Sequence, residues 1–167
     1  KRSLGAHHAQ TLTARHNLGL ALRDAGDIES ARETLAGVLR ERETLLGSTH
    51  AETCVTRHNL GSILREAGNF DAARPLLEEA ERVLLAEYGG EDLRVANARN
   101  SLALLHRQEG RLKEARMLLM RAAKVRISKL GMAHPDAVAS LYNLAEIARA
   151  EGDDERADGI QNDKVNA

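Results

Sequence analysis

An all-α superhelix of about four helix-turn-helix repeats is the fold this sequence predicts, and three observations predict it. The chain repeats in steps of 42 residues: Gly26, Gly68, Gly110 and Gly152 share one phase and Gly5, Gly47, Gly89 and Gly131 another. Leu18, Leu60, Leu102 and Leu144 keep the same step, as do Ala31, Ala73, Ala115 and Ala157. Between the glycines, small and apolar residues recur at helical spacing. Aromatic residues make up only 2% of the chain, so the apolar share rests on Leu, Ala, Val and Ile, which suit close helix packing. A repeat of this length marks a stacked array in which no unit buries its apolar face alone. Function is therefore expected on an extended surface and not in an enclosed pocket.

The elements follow in order. In the first repeat Ala14, Leu18, Ala21, Leu22 and Ala25 make one helical stripe, and Ile28, Ala31, Leu35, Val38 and Leu39 make a second. Gly26 separates them, and the same break recurs at Glu66-Ala67-Gly68-Asn69, Glu109-Gly110-Arg111 and Glu151-Gly152-Asp153. Glycine there takes the left-handed conformation that ends a helix, and so short a turn makes the two helices antiparallel. The first helices are expected near 9–25, 51–67, 93–109 and 135–151, the second near 28–45, 70–87, 112–129 and 154–164. Pro135 suits the first turn of its helix, and Thr49 with Glu52 has capping-box spacing. Pro75 is expected in the first turn or so of its helix, because deeper it removes a hydrogen bond. The repeats span about 4–45, 46–87, 88–129 and 130–160 of one domain. The last is degenerate, with Asp154 where Ile28, Phe70 and Leu112 stand and with Gly159, Gln161 and Lys164 at apolar or small sites. Its second helix either caps the stack or frays, and a partly ordered end is favoured.

Composition excludes several classes. With 24 basic against 25 acidic side chains the net charge is −1, which gives no reason to expect nucleic acid or an anionic membrane as partner. The single cysteine, Cys54, shares its phase with Leu12, Ala96 and Val138 and reads as a buried thiol in a reducing, cytoplasmic compartment. No apolar run reaches the roughly 20 residues of a membrane span. The chain begins inside a repeat boundary and reads as a segment of a longer protein. No phosphate loop, zinc-protease helix or flanked nucleophilic serine is present, so no enzyme and no cofactor are expected. Nor is a metal, since no carboxylate or thiol completes a ligand set around the histidines. Glu33, Glu41, Glu78, Glu79 and Glu114 sit among arginines on the second helices and read as solubilising pairs.

The fourth repeat reads Leu130-Gly131-Met132-Ala133-His134-Pro135, then Leu141-Tyr142-Asn143-Leu144-Ala145, then Gly152 and Ala157. The second reads Leu46-Gly47-Ser48-Thr49-His50, His58-Asn59-Leu60-Gly61 and Gly68-Asn69-Phe70-Asp71-Ala72-Ala73. This pattern resembles a tetratricopeptide array of the 42-residue kinesin light chain kind over about residues 4–157. Small residues at Gly19, Gly61, Ala103 and Ala145 and at Ala31, Ala73, Ala115 and Ala157 agree, because they let paired helices approach closely. The family shows a histidine at the repeat junction, so His8, His50 and His134 imply a structural role there.

On a helical wheel Thr13, His16, Leu20 and Arg23 fall nearly opposite the apolar stripe of the first helix. The 42-residue step carries that face to Val55, His58, Ser62 and Arg65, then Asn97, Asn100, Leu104 and Arg107, then Ala139, Tyr142, Glu146 and Arg149. The resemblance implies that first helices line a concave groove where a partner peptide lies. Asn17, Asn59 and Asn143, with Ser101 in the gap, match the second asparagine of the family's Asn-Asn pair, while His16, His58 and Tyr142 replace the first, which survives as Asn100. Amides can grip a peptide main chain, and the ladder Arg23, Arg65, Arg107 and Arg149 can select carboxylates. The arginines equally well neutralise Asp24 and Glu66 beside them, and the asparagines equally well bond neighbouring helices. The sequence thus points to a scaffold that holds a protein or peptide segment, acidic in preference. The alternatives are a sensor segment of a larger signalling ATPase or transcription regulator, and a structural spacer that self-associates through its repeat ends.

Overall fold

A computed structural model describes the backbone of residues 2–165 and the side chains of residues 8–160. The described residues form eight helices and no strand: α1 (Arg2–Asp24), α2 (Ile28–Leu46), α3 (Ala51–Glu66), α4 (Phe70–Tyr88), α5 (Leu93–Gln108), α6 (Leu112–Leu130), α7 (Pro135–Ala150) and α8 (Asp154–Val165). The boundaries agree with the glycine punctuation, except that α1 starts at Arg2 and absorbs Gly5. Gly26, Gly68, Gly110 and Gly152 adopt φ of 84°, 77°, 77° and 80°, the left-handed values that let one helix stop and the next begin within a few residues. Asp27, Asn69 and Asp153 then cap the second helices by accepting from the backbone N–H three residues on. No described helix is long and apolar enough to cross a membrane.

Helix starts correct two expectations. The N-cap of α3 is His50 and not Thr49, because His50 Nδ1 accepts from the backbone N–H of Glu52, and His134 caps α7 through Asp136 in the same way. The ring nitrogen does what a Ser or Asp oxygen does elsewhere, and Asp92 fills the equivalent place at α5. His8, by contrast, lies within α1, beside Glu41 at 3.8 Å. Pro75 stands inside α4, past the first turn. The carbonyl that it leaves without a helix donor belongs to the exposed Asp71, where water can serve it.

The chain divides into two compact units, Lys1–Val83 and Leu84–Ala167. In the first, Leu12, Leu35, Val38, Ile63 and Leu77 are fully or nearly fully buried. Gly19 and Gly61 permit the closest approach, since a Cβ at either would stand 2.8 Å from Cγ of Leu35 or Leu77. In the second, Ala103, Ala115, Leu119, Ala123, Leu144 and Ile147 make one cluster across α5, α6 and α7. Helix α8 is helical through Val165, and Ala157 packs with Ala145, Ala148 and Ile160, as a cap does; the side chains of Gln161 and Lys164 lie outside the described residues.

The apolar stripe of the first helix is corrected as well. Leu144 packs on α6, the second helix of the preceding repeat, but no helix precedes α1 among the described residues, and Leu18 is 53% exposed. Ala14, Ala21 and Ala25 are exposed with it. The stripe that α1 does bury runs through Leu12, His16 and Gly19.

Candidate functional site

Within the first unit, α1 and α3 lie side by side. Thr13, Asn17 and Val55 are exposed, and Leu20, Arg23, His58, Asn59 and Arg65 are half-buried. His16 and Ser62 do not face solvent as the wheel suggested: they are 6% and 7% exposed. The reason for His16 is a polar network between the two helices. Arg42 of α2 donates from Nη1 to Thr56 Oγ1 at 2.6 Å, and Thr56 Oγ1 donates to the carbonyl of Glu52 at 2.9 Å. With its proton thus committed, Thr56 accepts from His16 Nδ1 at 3.2 Å, so the lone pair of Nε2 accepts from Asn59 Nδ2 at 3.1 Å. Arg42 also reaches Thr13 Oγ1 at 3.3 Å and the Glu52 carboxylate at 2.8 Å.

The second unit repeats this arrangement two steps along the chain. Arg126 of α6 is 7% exposed and donates to Ser140 Oγ at 2.8 Å, to the carbonyl of Asp136 at 3.2 Å, to Asn97 Oδ1 at 2.7 Å and to Asn100 Oδ1 at 3.3 Å. Position by position, Arg126, Ser140, Asn97 and Asn100 stand where Arg42, Thr56, Thr13 and His16 stand in the first unit. The intervening repeat has buried Leu84 and Ala98 at the corresponding places. These arginines stand on the second helices α2 and α6, outside the first-helix face that a helical wheel singles out. A visible signal was the pairing of Arg42 with Thr56 and of Arg126 with Ser140 at a doubled period, each replaced by apolar residues between.

The clasp has a chemical consequence. With their carbonyl oxygens held by a guanidinium, Asn97 and Asn100 keep their N–H donors for other acceptors. Asn97 is exposed, Asn143 and Leu104 are half-buried, and Tyr142 is 51% exposed. Arg23 pairs with Asp24 at 2.8 Å, Arg65 with Glu66 at 3.1 Å, and Arg149 with Glu146 at 2.8 Å, so adjacent carboxylates partly satisfy the arginine ladder. Arg107 is half-buried and makes no ion pair among the described residues. Beside Thr13 and Asn17 a shallow depression is lined also by Ala9, Gln10, Ala14 and Glu52. Cys54 is fully buried, and burial pushes its thiol up, which suits packing and not nucleophilic attack. Among the described residues no three His, Cys, Asp or Glu side chains gather as a metal site would require.

Burial and the neighbouring Arg42 hold the His16 imidazole below its ordinary pKa, with Glu52 opposing. A lowered folded value favours the neutral ring, so its contribution to stability is complete above the ordinary value of about 6.5 and is lost as pH falls below it. Protonation would also set an N–H of His16 against the Asn59 amide donor. Melting temperature should therefore drop from about pH 7.5 to about pH 5.5, and His16→Gln should flatten that drop. A slope unchanged in the variant would remove His16 from the account.

The tetratricopeptide repeat family model matches residues 11–86 and 94–163. No curated protein matches the sequence. Among solved structures, the chain is similar to the nearly identical TPR-like repeats of a protein from Podosopora anserina described as a kinesin light chain, at 24% identity and a TM-score of 0.85, covering 93% of this chain and 74% of that one. It is similar to BtubC (BKLC) from P. vanneervenii at 20% identity and a TM-score of 0.83, covering 93% of this chain and 62% of that one. MamA from Desulfovibrio magneticus RS-1 is more distant, at 17% identity and a TM-score of 0.68 over 93% of this chain and 74% of that one.

Proposed function

Since this chain belongs to the tetratricopeptide repeat family, we propose that it is a protein-interaction scaffold without catalytic activity, which holds an extended protein segment against its first helices. The observation that carries this reading is the guanidinium hold on Asn97 and Asn100, which directs amide donors toward a ligand's main-chain carbonyls or carboxylates. Asn17, exposed beside the depression on α1, serves the same purpose in the first unit. Leu20, Leu104 and Tyr142 supply apolar contact, and Arg107 supplies a preference for acidic side chains. The fully buried thiol of Cys54 suits a reducing, cytoplasmic setting.

Selection from a displayed random-peptide library tests this. Peptides enriched on the wild-type chain are expected to be rich in Asp and Glu, and to bind the double variant Asn17→Ala, Asn97→Ala about tenfold more weakly or worse. Asn17→Ala alone should leave melting little changed, whereas Asn97→Ala removes an acceptor of the buried Arg126 and should lower it, so each single variant is confirmed folded by circular dichroism before its binding is compared. Enrichment without acidic bias would remove the role of Arg107. Equal binding by wild type and variant would overturn the assignment of the face.

A further inference from the structure

The outer face of α6 departs from the equivalent helices in a way that the groove does not use. Successive exposed positions of its outward stripe are Lys113, Met117, Met120 and Lys124, with Arg121 beside them. One repeat earlier the same positions are Asp71, Pro75, Glu78 and Arg82, and two repeats earlier Glu29, Glu33, Ala36 and Arg40. Lys113 thus stands where Glu29 and Asp71 do, and Met117 and Met120 where Glu33 and Glu78 do, while the fourth position is cationic in all three helices. Met117 and Met120 are 54% and 50% exposed, large values for apolar side chains. Other exposed arginines divide: Arg82 pairs with Glu79 at 2.7 Å and Arg111 with Glu114 at 3.1 Å, while Arg40 and Arg156 make no ion pair among the described residues. Lys113, Arg121 and Lys124 make no ion pair among the described residues either.

Spacing identifies the kind of surface. Lys113, Met117, Met120 and Lys124 follow one another at intervals of four, three and four residues, the a/d spacing by which one helix receives another, while Ile127, next in the series, turns inward onto the core of the second unit. Two methionines in the middle give an adaptable apolar contact, and the lysines at both ends of the pair require carboxylates opposite them. Arg121 flanks the seam, where a facing helix places its charged edge. A lipid surface is the less suitable occupant, because lipid binding by a helix needs a broad apolar face and this one offers two methionines between cations.

We propose that the outer face of α6 is a second interaction surface, and that it receives an acidic amphipathic helix of a partner protein, with apolar side chains over Met117 and Met120 and carboxylates over Lys113, Arg121 and Lys124. It lies on a second helix and is separate from the first-helix groove. A fluorescein-labelled 21-residue designed helix (about six turns) with Leu at a and d and Glu elsewhere is the probe, read by anisotropy against the whole chain. Wild type is expected to bind it in a salt-dependent manner. Met117→Ser with Met120→Ser should weaken binding about tenfold, and Lys113→Glu, Arg121→Glu and Lys124→Glu together should abolish it. The triple variant should instead bind a helix with Lys in place of every Glu, and this exchange of partners separates recognition from misfolding. All five side chains are exposed, so circular dichroism melts of the variants should match wild type. Three results would overturn the proposal: equal binding of the Glu and Lys helices to wild type, indifference to the α6 variants, or retention by phosphatidylserine vesicles or duplex DNA with no binding of the Glu helix.

Discussion

Leu144→Ala is expected to cost about 2–5 kcal/mol of unfolding free energy, while Leu18→Ala, one residue type at one register position, stays within about 0.5 kcal/mol. Leu144 is 8% exposed within the cluster of Ala103, Ala115, Leu119, Ala123 and Ile147, so its truncation leaves a hole bounded by three helices. Leu18 is 53% exposed and leaves none. Chemical denaturation of the two variants measures both values. In a stacked array each helix is stabilised by its neighbours, so sequence phase does not determine the cost; the packed neighbours do. Equal losses for the two would mean that Leu18 is covered in solution.

Gly61→Leu should be destabilising by about 1–3 kcal/mol through overpacking. Gly61 on α3 faces Leu77 on α4, and a Cβ there meets Cγ at 2.8 Å, Cδ2 at 2.9 Å and Leu76 Cβ at 3.3 Å. Leu77 is fully buried. The same position holds the fully buried Ala103 and Ala145 in the later repeats, so this architecture admits one methyl group there. Gly61→Ala is therefore expected to lie between wild type and Gly61→Leu, because the gain in helix propensity of roughly 1 kcal/mol offsets part of the crowding. Thermal melts of the three proteins give the order. A Gly61→Leu variant as stable as wild type would contradict the close approach of α3 and α4.

Helix order and boundaries were legible because glycines take a left-handed conformation both at the intra-repeat turns, Gly26, Gly68, Gly110 and Gly152, and at the inter-repeat turns, Gly47, Gly89 and Gly131, so two series at one step mark every helix end. Burial in the second helices was equally legible: Ala31, Leu35, Val38 and Leu39 are all buried. The first helices were harder. Their side chains meet two neighbours, so a single apolar stripe underdescribes them, and His16 reads as exposed on a wheel although Thr56 and Asn59 enclose it. Caps depended on local geometry that spacing alone does not fix, so Thr49 was a reasonable expectation and His50 is the residue that accepts the bond. The arginine ladder was visible as a period, but its neighbours Asp24, Glu66 and Glu146 decide how much charge it retains.

The direct measure of the proposed first-helix binding face in each unit is the side-chain amide spectrum of the asparagines in ¹⁵N-labelled protein, titrated with a library-selected peptide. The account predicts that the Asn17 and Asn97 NH₂ signals shift in saturable fashion, with backbone shifts on α1, α3, α5 and α7 and almost none on α2, α4 and α6. Saturable binding that moves second-helix signals and leaves both amides in place would contradict it.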